Sequence, residues 1–338
     1  VATIHEVAAK AGVSTATVSR YLRGQKVRSA QAVNAAVAAL GYSPNAVAQS
    51  LKSGRTGMIG VVVPDVTNPF FAAVAKGLEQ VCQGQSFRML LANSGESAET
   101  EQEILADLVH RVDGVILAPA TEQDDAPLQL REAGVPAVFL DRELAGDEPF
   151  DAVLVDNVGG AHAAAKHLTD LGHTRIAMIN GPADTTPGRG RREGFLAGLE
   201  EAGIELPPEY DLMGGFQEGT AHQLALQLLA QPEPPTAIFT GNNLMTVGVL
   251  KALQDMRVDV PGEVSVLGFD DLTLGSLLRS PLTCIDRPDV EQGALAMRLM
   301  LSRITHDTPG APRRIVLDTQ LLVRESTASP RPTRKARR

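Results

Sequence analysis

Thr3-Ile4-His5-Glu6-Val7-Ala8-Ala9-Lys10-Ala11-Gly12-Val13-Ser14-Thr15-Ala16-Thr17-Val18-Ser19-Arg20 reads as two short helices around a tight turn. Thr3 and Glu6 stand at capping-box spacing, so each side chain can satisfy the other's backbone amide. Val7, Ala8 and Ala11 give the first helix a small apolar face, and Gly12 supplies the left-handed residue that ends it. Ser14 caps the second helix, where Val18 and Leu22 turn inward and Thr15, Ala16, Ser19 and Arg20 turn outward. A third helix, capped near Ser29, runs through Val33, Ala36, Val37 and Leu40 and completes a three-helix core. This arrangement suits a major-groove reader. Small residues permit close approach to base edges, and Arg20 can contact guanine with two hydrogen bonds. Ser14, Thr17 and Ser19 suit phosphate oxygens, which position without reading sequence. The competing reading is a plain helical bundle with a solvated basic face.

Charge favours the first reading. Residues 1–57 hold Lys10, Arg20, Arg23, Lys26, Arg28, Lys52 and Arg55 against one acid, Glu6. From Arg324 onward the chain adds six bases against Glu325, which leaves 18 bases and 38 acids in the body. A head that attracts polyanions, on a body that repels them, predicts a nucleic-acid reader joined to a part with a different task. The 338 residues exceed what one core usually holds.

Gly41-Tyr42-Ser43-Pro44-Asn45-Ala46-Val47-Ala48-Gln49-Ser50-Leu51-Lys52 predicts a further short helix, with a serine cap and proline at the first helical position. Two turns are marginal alone and need an external partner, such as a symmetry mate and DNA. Leu51 beside Lys52 suits an apolar wedge in the minor groove. Ser53-Gly54-Arg55-Thr56-Gly57 lacks the Gly-Lys-Ser/Thr ending of a phosphate-binding loop and reads as linker.

From Met58 short apolar runs alternate with amphipathic segments: Ile59 to Val63, Met89 to Ala92, Val115 to Leu117 and Ala137 to Leu140. The pattern resumes at Val153 to Val155, Ile176 to Asn180, Ala237 to Thr240 and Val264 to Gly268, read as a second unit. Buried strands separated by helices predict an α/β fold of two doubly wound parallel-sheet lobes joined by crossover strands. Ligands of such sheets sit beyond the carboxyl ends of the strands, here between the lobes. Polar and aromatic residues gather at those ends: Asp65-Val66-Thr67-Asn68-Pro69-Phe70-Phe71, Asp141-Arg142, Asn180-Gly181-Pro182, Gly241-Asn242-Asn243 and Phe269-Asp270-Asp271. Carboxylates, carboxamides and arginine can hydrogen-bond a polyol, while Phe70, Phe71 and Phe216 offer flat apolar faces. A sugar, sugar acid or sugar phosphate is the expected ligand. Taken singly, each of these residues also reads as a loop turn or helix cap.

Thr3 to Arg20, the linker Tyr42 to Ala48, and the strand Met58-Ile59-Gly60-Val61-Val62-Val63-Pro64-Asp65 together resemble the lac repressor (LacI/GalR) family of bacterial regulators, over the whole chain. The loop Arg23 to Arg28 is shorter than is usual there. The resemblance implies lobes like those of periplasmic sugar-binding proteins. It also implies a regulator, expected to be a repressor, that binds a palindromic operator in double-stranded DNA as a homodimer and answers to a small-molecule effector. It places Val47, Ala48 and Leu51 in a hinge helix paired across the dimer. Thr3, Ser14, Thr15, Ala16, Thr17, Ser19 and Arg20, then Asn45, Val47, Ala48, Leu51 and Lys52, form the DNA-binding candidates. Arg191, Asn242 and Asp270 fall on effector positions, with Asp141 and Phe216 lining the same cleft; Asn68, Phe70 and Phe71 complete the effector set. Thr185 and Pro187 stand where purine-responsive relatives use other polar residues, which disfavours a purine.

The organisation expected is therefore 1–43 DNA-binding, 44–57 hinge and linker, 58–326 effector-binding and dimerisation, and 327–338 a disordered basic tail. That tail lacks the leucine heptads of a tetramerising helix. No export signal opens the sequence and no run nears the roughly 20 apolar residues of a membrane span, so a cytoplasmic protein with no membrane partner is expected. Cys82 and Cys284 are isolated and read as buried thiols. Gly188-Arg189-Gly190-Arg191-Arg192-Glu193-Gly194 imitates a dinucleotide fingerprint, but its last glycine is one residue late and two arginines crowd the turn. His162 and His167 share a helix but point to different faces, and neither a nucleophile elbow nor an HExxH zinc motif occurs. No enzyme, cofactor or metal is expected. A solute-binding protein or a sugar-processing enzyme on the same two lobes would instead ignore duplex DNA.

Overall fold

The computed structural model describes residues 2–22, 25–43, 55–85, 87–123, 125–146, 150–305 and 310–331. The chain divides into two compact units, Val1–Gly57 and Met58–Arg338.

In the first unit, α1 (Ile4–Ala11), α2 (Thr15–Leu22) and α3 (Ala30–Leu40) enclose Val7, Ala8, Val18, Val33 and Ala36. Both halves of the capping box form at α1, and Gly12 ends the helix in the left-handed conformation (φ 65°). Ser14 caps α2 through the Thr17 amide at 3.3 Å. Ser29 occupies the cap position of α3, but its side chain makes no cap hydrogen bond. Its backbone (φ −96°, ψ 27°) is not the extended form in which a capping hydroxyl turns back onto the first turn.

The second unit holds two six-stranded sheets. The first comprises β1 (Met58–Val63), β2 (Arg88–Asn93), β3 (Gly114–Leu117), β4 (Ala137–Leu140), β5 (Asp151–Val155) and β11 (Arg314–Leu317), in the order β11-β5-β4-β3-β1-β2, all parallel. The second comprises β6 (Ile176–Asn180), β7 (Asp211–Met213), β8 (Ala237–Thr240), β9 (Ser265–Phe269), β10 (Thr283–Asp286) and β12 (Gln320–Leu322). Its order is β12-β10-β9-β8-β6-β7, with β12 alone antiparallel. Strand β5, expected to open the second unit, pairs with β4 in the first. An apolar run states that a strand is buried, not which sheet it joins. The crossings between lobes follow β5, β10 and β11.

Alternate side chains explain the layering. On β1, Ile59, Val61 and Val63 pack against α4 (Pro69–Cys82) and α11 (Asp289–Thr305), while Val62 faces α5 (Ala98–Leu108) and α6 (Ala126–Glu132). The second sheet is likewise covered on one face by α7 (Asn157–Asp170) and α8 (Thr186–Glu201), and on the other by α9 (Glu218–Leu229) and α10 (Asn243–Asp255). Each fully buried aliphatic or aromatic side chain contributes about 1.5–3 kcal/mol.

Thr327 and Ala328, expected within a disordered tail, are held against the second lobe. His167 Nε2 lies 2.9 Å from Thr327 Oγ1, and the buried His173 Nε2 lies 2.8 Å from the Ala328 carbonyl. The Ala328 amide donates to Ser265 at 3.0 Å, so hydrogen bonds that low apolar content does not reveal fix this segment. Cys82 and Cys284 are buried free thiols. Among the described residues no helix is long and apolar enough to cross a membrane.

Candidate effector cleft and DNA-binding face

The cleft is built by strand ends and by two helix starts. Asn68 caps α4, its Oδ1 accepting from the Phe70 amide at 3.0 Å, which fixes Phe70 and Phe71 as the first turn against the cleft. The same oxygen accepts from Asn243 Nδ2 of the other lobe at 2.9 Å. Asn242 caps α10, accepting from the Met245 amide at 2.8 Å. Both asparagines therefore cap a helix and line the cleft at once.

Arg191 is held by the packing of α8 on α7. The imitation dinucleotide fingerprint lies within α8, not in a phosphate-binding turn. Two of its glycines serve helix contact: a Cβ on Gly190 would stand 3.0 Å from the Asn157 Cβ, and one on Gly194 2.0 Å from the Val158 carbonyl oxygen. That approach sets Arg191 Nε 2.9 Å from Asn157 Oδ1 and its Nη1 against the Gly241 carbonyl. The guanidinium stacks 3.8 Å from the Phe269 ring centre. Nη2 has no hydrogen-bond partner among the described residues. Burial pushes the Arg191 pKa down to about 10, against the pull of Asp270, so it stays charged at neutral pH.

Arg287, on the crossing after β10, joins the lobes. Its Nη1 donates to Asp141 at 2.5 Å and its Nε lies 2.8 Å from Asp270 Oδ1, over the Phe70 ring at 3.5 Å. The second contact is an ion pair without hydrogen-bond alignment, which leaves both Asp270 oxygens without a hydrogen bond among the described residues. Burial alone would lower the Arg287 pKa, but Asp270, Asp141 and Asp289 hold it above the ordinary arginine range. Burial likewise opposes ionisation of Asp141, yet Arg287, Arg191 and Arg142 hold that carboxyl below its usual value. Asp289 is pushed up to about 7 by burial, with Arg287 opposing and Asp270 and Asp141 reinforcing.

Glu96, Asp141, Phe216 and Asp270 line the cleft with positive φ values between 59° and 73°, a conformation rare outside glycine. Each non-glycine residue held there costs of order 1 kcal/mol and persists because its surroundings over-determine it. All eight effector candidates, Asn68, Phe70, Phe71, Asp141, Arg191, Phe216, Asn242 and Asp270, meet in this cleft. Glu96 and Arg287 were not singled out in the sequence; Arg287 sits in Asp286-Arg287-Pro288-Asp289, which carries no strand-end signature. These side chains leave little free space between the two lobes, which stand close. At the rim, Glu122 accepts from Thr186 at 2.8 Å and Arg189 at 2.6 Å, and further holds the lobes together.

On the first unit, Thr3, Ser14, Ala16 and Arg20 are exposed, and Thr15, Thr17 and Ser19 are half-buried. Thr3 is engaged with Glu6, and Ser14 with Thr17 at 3.0 Å, so these hydroxyls set the helix starts. Asn45, Val47, Ala48, Leu51 and Lys52 lie outside the described residues.

A helix-turn-helix unit and a two-lobed binding domain on one chain define a ligand-responsive DNA-binding regulator. Residues 3–45 match the bacterial regulatory proteins of the lacI family, and residues 165–327 the periplasmic binding protein-like domain. The ribose operon repressor of Escherichia coli (strain K12) is 37% identical over 313 residues, 91% of this chain and 94% of that protein. The crystal structure of the lac repressor dimer bound to operator and the anti-inducer ONPF matches with a TM-score of 0.84 at 25% identity, over 97% of this chain and 99% of that one. A regulator from Enterococcus faecium with bound ribose matches with a TM-score of 0.72 at 29% identity, over 81% of this chain and 100% of that one. The chain belongs to the lacI family. It is a DNA-binding transcription regulator and not an enzyme.

Proposed function

We propose that this regulator is a cytoplasmic repressor that binds a palindromic operator as a homodimer and is switched by a small sugar held between its lobes. The observation that supports it is the cleft floor, where Arg191 Nη2 and both oxygens of Asp270 lack hydrogen-bond partners among the described residues and Phe70 and Phe216 offer flat faces. Adjacent hydroxyls of a pyranose or furanose match a donor and an acceptor so placed, and its C–H face matches the rings. Thr15, Ala16 and Arg20 read bases; Ser14, Thr17 and Ser19 position the head on phosphates, with Thr3 at the same face; residues 44–57 act as hinge, with Asn45, Val47, Ala48 and Lys52 at the DNA and Leu51 as wedge.

The dimer forms through residues 58–326. Edge strand β2 exposes Leu90 and Leu91 beside Val66, and the second lobe exposes Leu274, Leu277 and Leu278. Apolar side chains along an open sheet edge favour burial against a second copy. A sugar that prefers one lobe arrangement shifts the two hinge segments relative to each other and so biases operator affinity.

The test is a gel-shift titration against the protein's own upstream DNA with a panel of sugars, sugar acids and sugar phosphates. Saturable binding to a palindrome, altered by one compound, is the expected result. Binding that no member of the panel alters would sink the sugar reading and leave the DNA reading standing.

A further inference from the structure

Glu96 follows β2 in a left-handed backbone conformation, and its carboxylate receives Arg142 through two parallel hydrogen bonds. Nη1 donates to Oε2 at 2.6 Å and Nη2 to Oε1 at 2.8 Å. The same Nη1 also approaches the carbonyls of Pro119 at 3.1 Å and Ala120 at 3.3 Å. Arg142 faces Phe216 of the other lobe, 5.5 Å from the ring centre. Neither carbonyl contact involves Glu96, so the guanidinium keeps its aim when the carboxylate is removed.

The cleft's charges are matched. Arg142, Arg191 and Arg287 line it together with Glu96, Asp141 and Asp270. Arg287 is claimed by Asp141 and Asp270, and Arg191 has Asp270 beside it. Arg142 alone presents a fork shaped for a phosphate or carboxylate, and Glu96 fills it.

We propose that Glu96 makes this cleft select a neutral sugar over a phosphorylated or carboxylated one, by occupying the fork of Arg142 that would otherwise take the anion. This rests on the sugar reading above and narrows it to a charge class. Glu96 acts through Arg142 and is a positioning residue. Removing its charge leaves the cleft one positive charge in excess, with an open two-pronged donor.

The full-length protein and its Glu96→Gln, Glu96→Ala and Glu96→Asp variants are titrated with inorganic phosphate, ribose 5-phosphate and ribose, by calorimetry and thermal unfolding. Native protein and Glu96→Asp should ignore phosphate. Glu96→Gln and Glu96→Ala should bind it at least about tenfold more tightly, a gain that mere loss of structure cannot produce. The proposal is overturned if neither uncharged variant gains phosphate affinity, or if native protein prefers ribose 5-phosphate to ribose. If native protein binds no sugar while the uncharged variants gain phosphate, the charge gate stands and the sugar reading falls.

Discussion

The helix-turn-helix unit and the interlobe cleft both depend on arginine, in opposite ways. Arg20 is exposed on α2, within a segment holding seven bases and one acid. Arg191 and Arg287 are 1% and 6% exposed, each with carboxylates beside it. An exposed cation acts at a distance through its field and through counterion release, so its work is salt-dependent. A buried cation is tolerable only with fixed partners, and what remains for it is to orient hydrogen bonds. On the function proposed above, one residue type thus serves a polyanion in the head and a polyol in the cleft, and burial decides between them.

The sharpest way to break this contrast is Arg287→Met. It leaves Asp141 and Asp270 buried without their shared cation and should cost about 3–5 kcal/mol in urea unfolding. A loss below about 1 kcal/mol would show that the carboxylates need no compensation. Next, Arg20→Ala should weaken operator binding by about 1–3 kcal/mol in fluorescence anisotropy, with sugar affinity unchanged. A matching loss of sugar affinity would end the division of labour.

A smaller effect concerns Asp289, whose carboxyl sits near 7 in the fold against 3.8 ordinarily. Between those values the folded protein keeps a proton that the unfolded chain has lost, so this group's contribution to stability falls as pH rises from about 4 through 7. Asp289→Asn removes that fall. The variant should exceed native protein at pH 8 by about 1–2 kcal/mol and lose the advantage near pH 4, read as the difference between two unfolding curves. Smallest, Thr3→Ala removes the α1 cap and should destabilise the head by about 1 kcal/mol, seen as faster amide exchange in α1 and not in the lobes.

Much of this was legible in the sequence. The capping box at Thr3 and Glu6 and the glycine at 12 act within one helical turn, so residue order alone specifies them. The parallel strands are buried on both faces and appear as unbroken apolar runs, such as Ile59 to Val63. Because such sheets gather ligands at strand ends, Asn68, Asp141, Asn242 and Asp270 could be marked without coordinates. Other features were hidden for identifiable reasons. Strand β5 carries no mark of its sheet, since either sheet would bury it equally well. Gly190 and Gly194 read as a failed nucleotide motif because a helix–helix contact requires the same small residues. Thr327 and Ala328 are polar or small and gave no sign that His167 would hold the first, and buried His173 and Ser265 the second.

The sequence by itself determined the division into a basic head and an acidic two-lobed body, because charge and periodicity are properties of residue order. Only the tertiary structure decided which charges cancel. Arg287 meets Asp141 of the other lobe across 146 residues and Asp270 at the end of the neighbouring strand, and Glu96 meets Arg142 across 46. Those pairings depend on where the crossings turn and how closely the lobes approach, which no local pattern encodes. Since Coulomb energy varies with distance and with exclusion of water, the cleft's preference among ligands is fixed only when the fold closes around it.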